Sequence, residues 1–194
     1  MSSTRLTSIQ HFVDRALQQA DQVGLTQSPD PQMPTAMRNG EANADGWIPW
    51  KAIPSTVSDA DIRELESQVH VQFPHLYVAF LQYKHFYELL PYKEIRFFPH
   101  VLGQWKQELL AIYSDGWDPD ELIGKGYIPF ATYSDWGVVC FNTTKPVAKH
   151  EDCEIVMIDH DQLSVLAATV LYPSFAIMIE DLIAELQVSK WGST

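Results

Sequence analysis

Apolar residues recur at helical spacing from the start of the chain. Ile9, Phe12, Val13, Ala16, Leu17 and Ala20 would line one side of a helix predicted over residues 7–22. The pattern then stops. Between residues 24 and 47, Pro29, Pro31 and Pro34 fall among Gly24, Gly40, Gly46 and polar side chains, and no period survives. Helical spacing returns after Val57. Ser58 is placed to cap a helix, Asp61 stands where it completes a capping box, and Val57 can staple against Ile62. Asp59 and Asp61 also suit the positive end of the helix dipole. Ile62, Leu65 and Val69 form the apolar side, with Arg63, Glu64 and Glu66 toward water. Pro74 fits the first turn of a second helix predicted over 75–85, because its missing N–H costs nothing there. Tyr77, Phe80, Leu81 and the stem of Lys84 continue that stripe.

Beyond Glu88 the period shortens. EIRFF, YIPFA, GVVCF and EIVMI read as strands, with SDWG as the turn between the second and third. Pro129 places YIPFA at a sheet edge or a strand start, since proline gives the ladder no N–H. WKQELLAIY reads as a helix packing Trp105, Leu109 and Ile112, and DGWDPDEL as a turn. Ser174 opens a last helix with Phe175, Met178, Ile179, Leu182 and Leu186 on one side. The order predicts an α+β fold, a mainly antiparallel sheet with helices packed against it. The expected division is an accessory N-terminal helix over 1–23, a Pro/Gly-rich linker or long loop over 24–49, and the main domain over 50–190. No internal repeat is visible.

Composition narrows the class. With 194 residues, 46% of them hydrophobic, the chain can bury one full core and is not a disordered segment. It carries 25 acidic against 13 basic side chains, a formal charge of -12. That balance repels phosphate backbones, so no direct nucleic-acid partner is expected, whereas a basic protein would be attracted. Two cysteines do not make a disulfide framework, and Cys140 lies in an apolar run. The first ten residues lack a basic segment followed by an apolar one, and LAATVLYPSFAIMI, interrupted by Pro173, is too short to cross a bilayer. A cytoplasmic protein with no membrane partner is the expectation.

Candidate chemistry is thin. Cys140, His150, Cys153 and His160 are the nearest approach to a metal set, but only His150 and Cys153 have a suitable spacing, so no metal is expected. There is no nucleotide-binding glycine loop, and thus no expected cofactor, and no nucleophile elbow. Carboxylates near Asp115–Glu121, beside Trp117, leave one catalytic alternative, a carbohydrate-directed enzyme, though turn acids are usually solvated. A binding surface is better supported, and no catalytic residue is assigned. Residues 115–161 hold ten acids and three lysines. Within them Asp115, Trp117, Asp118, Asp120, Glu121, Tyr133, Asp135 and Trp136 form a candidate protein-binding set, aromatic anchors with a charged rim. The structural alternative for Tyr133 and Trp136 is that they close the core over the strand ends.

These segments resemble the SMI1/KNR4-like (SUKH) family over about residues 50–187. VSDADIRELESQVHVQFPHLYVAFLQ is similar to its opening helix pair, with Glu66, Phe73, Pro74, Phe80 and Leu81 on the characteristic places. YIPFATYSDWGVVCFN resembles its central strand–turn–strand: Ile128, Pro129, Phe130 and Ala131 match, Asp135 falls on the acidic turn position, and Asn142 replaces the usual Asp. SFAIMIEDLIAEL is similar to its closing helix. The resemblance implies an α+β domain without known catalytic activity. Bacterial members look like toxin-immunity proteins, many directed at nucleases, and fungal relatives act in cell-wall synthesis and its signalling through protein contacts. An immunity protein for a basic toxin, or a regulatory interaction module, is what the resemblance implies here.

Overall fold

In a computed structural model that describes residues 3–92, 94–116, 120–147, 151–160 and 167–188, the first apolar stripe becomes α1 (Ser3–Gln22), with Ile9, Phe12, Val13 and Ala16 buried. The proline-rich stretch after it carries short paired pieces. β1 (Gln27–Ser28) pairs with β2 (Ile48–Pro49), a 3-10 turn spans Thr35–Met37, and Met33 and Met37 are buried in the main core. The Arg38 guanidinium pins the intervening loop by donating to the carbonyls of Pro31 and Met33 at 3.1 and 3.3 Å.

α2 (Asp59–Val69) starts on the predicted capping box: the Ser58 hydroxyl accepts from the Asp61 N–H, and the Asp61 carboxylate accepts from the Ser58 N–H. Such a cap stabilises a helix by about 1 kcal/mol. The helix stops at His70, held in the left-handed region at φ 56°. α3 (His75–Leu81) is shorter than its apolar stripe predicts. Ser55 competes for its end, with the hydroxyl donating to the Leu81 carbonyl and the N–H to that of Tyr83. The chain then turns into β4 (Lys84–His85), which pairs with β3 (Ile53–Pro54). Lys84 is therefore a strand residue, and its ammonium reaches Asp14 of α1 at 2.6 Å.

A six-stranded sheet follows, built from β5 (Leu89–Tyr92), β6 (Ile95–Phe97), β7 (Tyr127–Tyr133), β8 (Gly137–Val147), β9 (Asp152–Asp159) and β10 (Thr169–Tyr172). Its spatial order is its sequence order, every neighbour antiparallel. α4 (Trp105–Ala111) and a π-type turn (Ile112–Gly116) lie between β6 and β7, and α5 (Phe175–Val188) closes the described chain. This is the α+β fold that the sequence pattern predicts. Of the two placements expected for Pro129, the edge is overturned and the strand start is kept: it is the third residue of β7, a central strand. A register shift between Pro129 and Ala131 accommodates it, and β6 pairs only with Ala131, Thr132 and Tyr133. The proline thus sits where that side of β7 has no ladder to complete.

α1, α3 and α5 pack on one face of the sheet, and α1 lies against α5. Rings from every layer meet between them. Phe141 lies 4.4 Å from Phe130, 4.9 Å from Tyr77 and 5.0 Å from Phe175, while Phe97 contacts Phe80 at 5.1 Å and Phe12 at 5.6 Å. Aromatic pairs in such tilted geometries add to the burial of the rings themselves. On the other face Val138, Cys140, Val156 and Ile158 bury with Leu122. β8 thus alternates, with Val139 and Phe141 toward the helices and Val138 and Cys140 away from them.

Candidate interaction surface

The family-like motif residues prove to be packing residues. Phe73, Phe80, Leu81, Ile128, Phe130 and Ala131 are all buried, and Glu66 closes the turn between α2 and α3 by accepting from the Phe73 N–H at 2.7 Å. Asn142 is buried as well. Its amide donates to Glu154 at 3.0 Å, and its carbonyl oxygen accepts from the Thr144 N–H at 3.2 Å. The candidate binding residues lie in the turns at the two ends of β7.

At the Tyr127 end, a cleft of about 570 Å³ opens between the α2–α3 turn, the end of α4 and the start of β7. Asp120 lines it together with Gln68, His70 and Lys125. Glu121 is half-buried and holds Lys125 at 2.6 Å, an i,i+4 pair. Gly126 turns the chain into β7 at φ 82°, where a side chain would also meet the Thr143 hydroxyl. Asp115 belongs to the π-type turn, and its side chain lies outside the described residues, as do Trp117 and Asp118.

At the Tyr133 end, the β7–β8 turn carries Ser134 at φ 49°, with Asp135 and Trp136 exposed. Trp136 is 44% exposed and meets the Tyr133 ring edge-on at 5.3 Å. The two aromatics therefore differ: Tyr133 is half-buried against the core, whereas Trp136 stands in solvent and is not a core plug. The Tyr133 hydroxyl donates to Glu94, and the Tyr172 hydroxyl donates to Asp181 at 3.1 Å. Burial, then the Asp181 bond and the charges of Asp181 and Glu185, push the Tyr172 phenol well above its ordinary range. Sequence reasoning missed Glu94, Tyr172, Asp181 and Glu185. Asp181 and Glu185 are one helical turn apart, a visible signal, but only the fold brings them to Tyr133.

The described candidates thus form two groups, Asp120 and Glu121 at one end of β7 and Tyr133, Asp135 and Trp136 at the other, separated along the strand by six residue steps, or about 20 Å. An ordinary protein interface covers about 800 Å² on each partner, a patch roughly 30 Å across, so one partner can reach both. Among the described residues, no group of three or more His, Cys, Asp or Glu side chains is placed to hold a metal ion. Cys140 and Cys153 are buried free thiols, and burial, followed by the charge of Asp152, pushes the Cys153 thiol up to about 12. His150 lies outside the described residues. No helix among the described residues is long and apolar enough to cross a membrane.

The chain is thus a helix-backed antiparallel meander whose family-like motif residues serve the core. The family described as SMI1 / KNR4 family (SUKH-1) matches residues 56–181, well over half of the chain, and the chain belongs to it. Membership brings a non-catalytic, protein-interaction role. No curated protein matches the chain.

Proposed function

We propose that the chain is an immunity-type protein that acts in the cytoplasm by binding and neutralising a basic, nuclease-like toxin. The observation that carries this reading is Trp136, 44% exposed at the tip of a hairpin and braced by Tyr133 beside Glu94 and Asp135. A large ring held in a fixed orientation loses little freedom on binding, and carboxylates around it select a cationic surface. The formal charge of -12 extends that selection to long range, and family membership supports a protein partner. Asp120 and Glu121, at the far end of β7, form a second charged contact for the same partner.

The test uses the basic protein that the chain captures from its native host, purified in inactive form, across a salt series. Changing Asp120, Glu121 and Asp135 together to Lys is expected to slow association and flatten its salt dependence. Trp136→Ala is expected to weaken binding by about 2 kcal/mol, mainly through faster dissociation. Its melting temperature should stay close to that of the unmodified protein, because the ring is solvent-exposed. If the triple variant keeps the original association rate and salt slope, the acidic turns serve solubility alone and the binding surface lies elsewhere.

A further inference from the structure

Beside the Tyr133–Trp136 pair, a recess of about 180 Å³ lies between α5, β10 and the ends of β6 and β7. Ile95, Leu171 and Leu182 supply its apolar lining, Tyr133 and Tyr172 its rings, and Glu94 and Glu185 its carboxylates. Pockets that take cofactors or drug-sized ligands begin at about 300 Å³, so this one suits a single side chain. Its polar character is one-sided. Both phenols spend their protons on carboxylates, Tyr133 on Glu94 and Tyr172 on Asp181. A phenol whose proton is so engaged offers the recess only lone pairs, and carboxylate oxygens are acceptors. Among the described residues, no lysine or arginine lines the recess. The acceptor oxygens, rings and aliphatic groups of the lining together suit a donor-only, positively charged group on an apolar stem.

We infer that this recess receives an arginine side chain of the protein partner. The guanidinium carries five donors and no acceptor, its plane can lie against the tyrosine rings, and its three-methylene stem matches the aliphatic lining. A lysine ammonium meets the charge requirement but cannot form the planar fork between two carboxylates. This inference rests on the reading of the partner as a basic protein, and it names the group that anchors that partner next to Trp136.

The experiment is a titration of the full-length, ¹⁵N-labelled chain with N-acetyl-arginine amide, with the lysine and citrulline amides as controls. Citrulline keeps the shape and removes the charge. Arginine should shift the backbone amides of Ile95, Tyr133, Ser134 and Leu171, lysine should do so more weakly, and citrulline should leave them in place. In the variant E94Q/E185Q, which keeps acceptors for the tyrosines, the arginine affinity should fall about tenfold, the size expected for losing charge-assisted hydrogen bonds. A dispersed spectrum and an unchanged melting temperature establish that the variant is folded. Equal shifts with citrulline, no shifts at these amides, or an unaltered response in the double variant would each overturn the inference. If the recess ignores arginine while the toxin still binds through Trp136 and the acidic turns, only the recess assignment fails. If arginine enters the recess but charge reversal leaves toxin association unchanged, the partner reading fails instead.

Discussion

Asp152 is a carboxylate with 1% of its surface exposed, placed where the N-terminus of α5 meets β9. Its two oxygens accept from the N–H groups of Phe175 at 2.8 Å and Ala176 at 3.0 Å, while the Ser174 hydroxyl accepts from Ile177. Those donors belong to the first turn of a helix and have no partner within it, so one buried charge satisfies them and opposes the helix dipole. Asp152→Ala should cost about 3 kcal/mol in urea unfolding, the scale of losing charged hydrogen bonds and leaving buried donors unmet. Asp152→Asn, which keeps one acceptor, should cost less. A change below about 1 kcal/mol for the alanine variant would show that Ser174 caps the helix unaided. Along the sequence Asp152 is one more member of an acidic run. Its neighbours in that run, Asp120 and Asp135, are exposed, and nothing in the local pattern separates a cap from a rim charge.

Among the elements, the short β3–β4 ladder depends on two stacked imidazoles, His85 and His100, with centroids 4.7 Å apart. The Nδ1 of His85 faces the His100 carbonyl and the Nδ1 of His100 faces the Lys84 carbonyl, both at 3.0 Å, so each ring carries its proton on Nδ1. Thr56 donates its N–H to Nε2 of His85, while Nε2 of His100 is buried without a partner. Burial lowers both pKa values, and the neighbouring His85 charge helps hold His100 at about 3. The unfolded chain takes up these protons near the ordinary histidine value of about 6.5, and the folded chain does not. Stability from this pair is therefore fully present above about pH 6.5 and is lost as pH falls toward the folded values. The melting temperature should drop between pH 6.5 and 5, above the range of ordinary carboxylates, and H85Q/H100Q should be less stable at pH 7 with a flatter acid limb. Equal slopes for the two proteins would remove the imidazoles from the account. The helices flanking this ladder were legible because caps and apolar spacing are local. β4 was not, nor was the central place of Pro129, because both depend on strands tens of residues away.

At the scale of the whole molecule, α1 has Phe12 fully buried against Phe97 and lies along α5. A chain beginning at residue 24 would uncover that strip, and truncating a single large core residue already costs about 3–5 kcal/mol. The expected result is loss of the cooperative thermal transition. A truncated chain that melts like the full one would establish α1 as a separable accessory. The architecture could be read in advance because each strand pairs with its neighbour in sequence, so order along the chain gives order across the sheet. The candidate surface was read less completely. Tyr133, Asp135 and Trp136 share one turn and were found together, whereas Glu94, Tyr172, Asp181 and Glu185 join them only through folding. The packing of α1 on α5 also sets a timetable for synthesis. About 150 residues separate the two helices, and at about 5–20 residues per second the ribosome takes roughly 8–30 s to cover them. Throughout that interval the side of α1 meant for α5 lacks its partner helix, so the growing chain displays an apolar strip to the chaperones until α5 emerges.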